Sequence, residues 1–261
     1  MTADSVYTRL AALGFRLSEA AIDAIVQECT KIRASPTQVL ERLAEAERRA
    51  RDGVNLAHRT RAAHIGAIKS IGDFDWNHPT KIDRGLYEKL LTMAFIETSE
   101  NVLFRGRVGL GKTLLAMNLG MEALRRGYSV RFTTLTSMTA DILRQESLPA
   151  QERRMRRYTA PQLLIIDEVG YLPMDTRAAD VVYNVIAPRH EKRSTVITTN
   201  LAFKAWGPVF GEAASLVALI DRFAARLAVM NIEGESYRSP AAGRPTANEP
   251  TPPRPPQKPR R

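Results

Sequence analysis

Residues 106–113 read Gly106-Arg107-Val108-Gly109-Leu110-Gly111-Lys112-Thr113, the pattern G-x-x-x-x-G-K-T. A short apolar run, Asn101–Phe104, precedes it, and Leu114–Leu124 follows with the spacing of a helix. A glycine turn between a strand and a helix lets successive backbone N–H groups face one concavity. The start of the helix adds partial positive charge to the same spot. Together these make a phosphate cradle, and the strand–loop–helix context is what separates it from an ordinary glycine-rich turn with a surface lysine. Residues 106–114, including Leu114, are the expected nucleotide-binding set. Lys112 is placed for the β/γ-phosphates of ATP and the Thr113 hydroxyl for Mg²⁺.

About fifty residues on, Leu163-Leu164-Ile165-Ile166 runs into Asp167-Glu168. Four apolar residues in a row read as a strand buried on both faces. Carboxylates at its C-terminal end lie where open α/β sheets bind ligands. Asp167 is expected to hold Mg²⁺ through water, and Glu168 to orient and polarise the attacking water. The strand Thr195–Thr199 ends in Asn200, whose amide is placed to hydrogen-bond a γ-phosphate or its water, although an Asn-initiated turn has the same appearance. Further on, Arg222 cannot easily reach its own cradle. In a ring or spiral it would reach a neighbour's nucleotide, where a guanidinium stabilises charge in phosphoryl transfer. Arg226, one helical turn away, competes for that role, and a surface salt bridge is the plain alternative for either.

Strands are expected at Asn101–Phe104, Ser129–Thr133, Leu163–Asp167, Thr195–Thr199 and near Ala228–Ile232, with helices between them. Such alternation implies an α/β fold with a central parallel sheet. Residues 1–72 read as a small helical domain. Ile22, Ile25, Val26 and Cys29 line one helix face. Ser35-Pro36 opens a second helix with Val39, Leu40, Leu43 and Ala46 inward and Gly53 as its stop. A third, from about Leu56 to Ile71, carries Ile65, Ile68 and Ile71 inward. Residues 73–83 form an aromatic linker, placed either to touch a nucleotide base or to anchor on the core. The P-loop domain spans 84–238. From Ser239 the composition shifts: eight of the 15 prolines fall in the last stretch, and 239–261 read as a disordered Pro/Arg-rich tail. The few residues between the last strand and that tail leave no room for a C-terminal helical lid.

The formal net charge of +10 favours a polyanionic partner. Arginines cluster at Arg48, Arg49, Arg51, Arg59 and Arg61, the expected DNA-binding set, again at Arg153, Arg154, Arg156 and Arg157, and in the tail at Arg244, Arg254, Arg260 and Arg261. The single cysteine, Cys29, excludes an intramolecular disulfide and any multi-cysteine metal site, and its helical spacing gives it a buried apolar role. The four histidines (His58, His64, His78 and His190) show no ligand spacing. No signal peptide or membrane-spanning run is visible, so a soluble, cytoplasmic chain without a membrane partner is expected.

The remaining motifs are more specific. Asp73-Phe74-Asp75-Trp76, Glu100–Leu103, the P-loop, Arg126–Phe132, Leu164–Pro173, Ser194–Leu201, Trp206–Gly211 and Gly234–Arg238 together resemble the IstB family. These are the transposition helper ATPases of IS21-type insertion sequences, similar to the helicase loader DnaC and the initiator DnaA. The resemblance spans about residues 8–238. It implies an AAA+ core behind a helical domain, ATP-dependent homo-oligomeric assembly on duplex DNA, and delivery of target DNA to a partner transposase. By the family pattern Asn200 matches the sensor-1 asparagine, and Arg222 aligns with the arginine finger of the loader branch. Two positions depart from it. Arg107-Val108 stands where prolines are usual, and Leu114 replaces a common histidine; neither removes a phosphate ligand. A replicative helicase loader is the alternative reading. A DNA scaffold that binds ATP without hydrolysing it is a further one, opposed by the intact Asp167-Glu168 pair.

Overall fold

The alternating apolar runs form a five-stranded sheet in the computed structural model, which describes residues 5–237. The strands are β1 (Asn101–Gly106), β2 (Val130–Thr134), β3 (Leu163–Val169), β4 (Ser194–Thr199) and β5 (Leu227–Ile232). All pair in parallel, in the order β2-β3-β4-β1-β5. Every residue of β4 is buried, as is β3 apart from Glu168. That is the pattern of strands covered on both faces.

Three helices precede the sheet: α1 (Val6–Ala12), α2 (Glu19–Lys31) and α3 (Pro36–Ala63). Then α4 (Arg84–Leu90) and α5 (Ala94–Glu97) lead into β1, and α6 (Lys112–Arg125) connects β1 to β2. Two helices, α7 (Leu135–Leu143) and α8 (Leu148–Thr159), lie between β2 and β3. After β3 comes α9 (Thr176–Ile186), and before β5 comes α10 (Ser215–Ala224). Successive strand residues face opposite sides, so Val102 and Phe104 pack with Leu115 and Leu119 of α6, while Leu103 packs with the layer of α7, α9 and α10. The result is a sheet with a helical layer on each face. No helix follows β5 among the described residues, and none of those residues belongs to a helix long and apolar enough to cross a membrane. The tail and its arginines lie outside the described residues.

The N-terminal helices differ from the expected pattern. Gly53 does not stop a helix: α3 is one helix of 28 residues, roughly 42 Å long. An interior glycine costs only about 1 kcal/mol, and strong signals bound the helix elsewhere. Ser35 and Gln38 form a reciprocal capping box, and His64 closes the other end in the left-handed conformation. The third helix therefore does not exist as a separate element. Ile65, Ile68 and Ile71 do turn inward, but from the irregular segment beyond His64, and they pack with Leu56 and Ala63 on the α6 side of the core.

Leu40 is 67% exposed rather than inward. The buried positions on α3 are Ala63 and Glu47, and the Glu47 carboxylate accepts hydrogen bonds from Arg16 N (2.8 Å) and Leu17 N (3.1 Å) and from Arg51 Nε (2.6 Å). It thereby satisfies backbone donors just before α2, a need no periodicity argument reveals. Cys29 is buried as expected. The aromatic linker anchors on the core: Phe74 meets Trp76 edge-on at 4.8 Å, and Trp76 lies 5.4 Å from Tyr87 of α4. Lys81 and Glu233 then exchange backbone hydrogen bonds, tying the linker to the segment after β5.

Candidate functional site

The strand order determines what meets at the C-terminal edge of the sheet. β4 lies between β1, which feeds the glycine loop, and β3, which ends in the two acids. The ends of these three strands therefore converge, and the end of β4 sits at the centre of the site.

Within the loop, Gly109 and Gly111 have φ of +83° and +81°. A side chain at Gly109 would start 1.9 Å from Ser236 Oγ, and one at Gly111 would start 2.6 Å from the Phe74 ring. Only glycine fits either the backbone geometry or the space. The loop is thus gripped from outside by the linker and by the segment after β5. Tyr237 N donates to Gly109 O at 3.0 Å, and the His78 and Tyr237 rings stack with centroids 3.7 Å apart. Lys112 opens α6, and its ammonium donates to Gly106 O and Arg107 O, both at 2.7 Å. The loop carbonyls thereby hold a cation at the mouth of the cradle.

Thr113 Oγ1 donates to Asp167 Oδ1 at 3.1 Å. Asp167 is 3% exposed and also takes the Thr198 hydroxyl on that same oxygen. Thr198 Oγ1 in turn accepts from Glu168 N at 3.1 Å. The pairing of β3 with β4 shifts register between Ile166 and Val169, and Glu168 takes φ +60°. For a residue with a Cβ that conformation costs roughly 1 kcal/mol, and the Thr198 bond offsets part of it. The bulge turns the Glu168 carboxylate out of the buried strand, where it is exposed while Asp167 beside it is not.

A cleft of about 310 Å³ connects these groups. Gly109, Gly111, Lys112, Thr113 and Leu114 form its floor, Glu168 and Thr198–Asn200 one wall, and Ala67, Ile68 and Lys69 the other. Asn200 is exposed and also borders two adjoining hollows with Arg107. The 67–69 wall and Thr198 were not legible in the sequence. The wall comes from a stretch that reads as helix, and Thr198 is one of several threonines in a buried strand. Thr113 and Asp167 supply two hard oxygen donors of the kind Mg²⁺ takes.

The other expected site residues lie away from this cleft. Arg222, on α10, donates to the Tyr183 hydroxyl, and its guanidinium carbon lies 4.8 Å from that ring's centroid. Arg226 donates to Thr98 O at 3.0 Å. Of the α3 arginines, Arg48 and Arg49 share Glu45, and Arg51 holds Glu47 and Gly14 O. Arg59 donates to Leu124 O at 3.2 Å, which docks α3 on α6. Arg61 is exposed.

A family model described as IstB-like ATP binding protein matches residues 8–243. The ATP-binding protein of insertion sequence IS5376 from Geobacillus stearothermophilus is 35% identical over 204 residues, covering 78% of this chain and 81% of the relative. The corresponding protein of IS21 from Pseudomonas aeruginosa is 31% identical, covering 83% and 82%. Among solved structures, DnaI superposes with a TM-score of 0.52 at 16% identity, over 65% of this chain and 90% of that one. A replication initiator DnaA bound to AMPPCP and single-stranded DNA gives 0.50 at 18%, over 62% of this chain and 52% of that one. At such identities the two structures speak for the fold alone.

Proposed function

The chain belongs to the IstB-like ATP-binding proteins of IS21-type insertion sequences, and from that premise we propose a DNA-stimulated ATPase that assembles on duplex DNA and assists a partner transposase. The observation that carries the reading is the hydrogen-bonded chain Thr113–Asp167–Thr198–Glu168 at the mouth of the glycine loop. A protein that used ATP only as a structural ligand would have no need of an acid turned out of the strand beside the cradle.

In this reading the loop N–H groups and Lys112 bind the β/γ-phosphates. Lys112 exchanges its two loop carbonyls for phosphate oxygens. The Thr113 hydroxyl and Asp167 would hold Mg²⁺, which supplies neutralisation of charge on the phosphate oxygens. Glu168 accepts a hydrogen bond from the attacking water and polarises it, while Asn200 orients that water from the next strand end. Arg222, which does not line its own cleft, acts on a neighbouring subunit's nucleotide. The net charge of +10 and the exposed arginines of α3, Arg48, Arg49 and Arg61, support DNA as the surface on which subunits gather.

The test is ATP turnover with and without duplex DNA, with assembly size followed in the same samples. Turnover stimulated by DNA together with ATP-dependent assembly is the expected result. ATP-dependent assembly without turnover would replace the ATPase reading by a scaffold.

Thr198 provides a sharper check on the cleft. Thr198→Val keeps the shape but removes both the donor to Asp167 and the acceptor for Glu168 N. Turnover at saturating ATP should fall about 10-fold, the loss of roughly one hydrogen bond's worth of positioning, while ATP affinity changes little. An unchanged maximal rate would remove Thr198 from the mechanism.

A further inference from the structure

A second concave surface lies where the end of α3 meets the edge strand β2 and the end of α8. It is a cleft of about 520 Å³ lined by His64, Arg131, Arg156 and Arg157, with no aspartate or glutamate in its wall. The arginines come from two separate elements, and a histidine from a third lies beside them. His64 is the left-handed cap of α3, Arg131 belongs to β2, and Arg156 and Arg157 form the last turn of α8.

Cations in the last turn of a helix commonly do no more than complement its dipole. Here, however, the geometry is built for more. Arg131 donates to Ala62 O at 3.3 Å and lies 5.4 Å from the Tyr158 ring centroid. Arg156 and Arg157 are exposed and make no side-chain hydrogen bond or ion pair among the described residues. The neighbouring acid, Asp141, is already committed to Arg154 (2.7 and 2.5 Å) and to the Tyr158 hydroxyl (2.6 Å). Arg189, just behind, is spent on backbone carbonyls, including Pro161 O and Ser194 O. Desolvation, reinforced by Arg131 and Arg157 and opposed by Asp141, holds the His64 imidazole below its ordinary pKa, so the charge of the cleft comes from its arginines. The cleft therefore gathers positive charge with no anion of its own.

We propose that this cleft seats the phosphate backbone of duplex DNA, with Arg131, Arg156 and Arg157 as the phosphate ligands. The proposal rests on the DNA-binding reading above and gives it a location. Arg61, exposed on the last turn of α3, is the nearest of the α3 arginines in sequence to the His64 end of the cleft. Contacts of this kind position DNA without reading its sequence.

The test measures binding of the full chain, with a non-hydrolysable ATP analogue, to a random-sequence duplex across a salt series. Wild type is compared with Arg156→Ala/Arg157→Ala, with Arg156→Lys/Arg157→Lys, and with Arg48→Ala/Arg49→Ala. Arg156 and Arg157 make no side-chain hydrogen bond or ion pair among the described residues, so folding of the cleft variants should be unaffected. Removing both cleft arginines should weaken binding about 10-fold at low salt and reduce the slope of log affinity against log salt by roughly one to two. The lysine pair should keep the slope. Wild-type affinity and slope in the alanine pair would overturn the cleft as a DNA site and leave the DNA reading intact. No duplex binding by wild type at any salt would overturn both.

Discussion

Lys112→Ala should abolish ATP binding and, with it, ATP-dependent assembly. The ammonium is held on the loop carbonyls at the cleft, whose lining carries one other formal positive charge, Lys69. A charged hydrogen bond contributes about 1.5–3 kcal/mol. Lys112 would make such bonds to more than one phosphate oxygen, so a loss of at least ~100-fold in ATP affinity is expected. The variant also leaves Gly106 O and Arg107 O without this donor, but Arg107 is exposed and Gly106 only half-buried, so water can replace it and the fold should persist. Titration with a fluorescent ATP analogue checks affinity, and sedimentation with and without ATP checks assembly. Nucleotide-dependent assembly at wild-type ATP concentrations would sink the assignment of the loop as the phosphate site.

The parts of this site that were legible in the sequence are those that local chemistry dictates. The glycine loop, the buried run before Asp167 and the pair of acids at its end each follow from a short stretch of residues. The strands came out close to their observed limits because apolar runs in a parallel sheet are short and sharply bounded. What was hidden depends on long-range packing. Thr198 becomes part of the site only because β4 lies between β1 and β3, an order that the linear alternation of strands and helices does not specify. Ala67–Lys69 form a wall only because α3 stops at His64, and the signal for that stop is a left-handed backbone at a histidine rather than a glycine. Gly53 misled for the complementary reason. An interior glycine costs too little to end a helix that a capping box and a docked C-terminal end hold in place. The basic clusters showed the same limit. Composition located the arginines but not their partners, and it took the structure to separate Arg154 and Arg59, which hold the protein together, from Arg156 and Arg157, which face solvent.

Glu168→Gln should leave ATP bound but slow its hydrolysis by 10²–10³-fold, within the range for losing a positioned general base. The side chain keeps its size and the backbone keeps its Thr198 bond, because that bond is made by Glu168 N. The left-handed geometry that turns the residue into the cleft therefore survives, and only the capacity to polarise water is lost. This separates the expected outcome from that of Lys112→Ala, in which binding itself fails. It also separates Glu168 from Asp167, whose replacement would disturb the hydrogen bonds of Thr113 and Thr198 together. Because assembly is proposed to depend on bound ATP, slow hydrolysis should prolong DNA complexes, and their lifetime should rise as turnover falls. Steady-state hydrolysis and dissociation of labelled duplex after dilution measure the two quantities on one preparation. Slow turnover with rapidly dissociating DNA would mean that hydrolysis does not control release. Wild-type turnover would mean that the acid turned out of β3 is not the group that activates water.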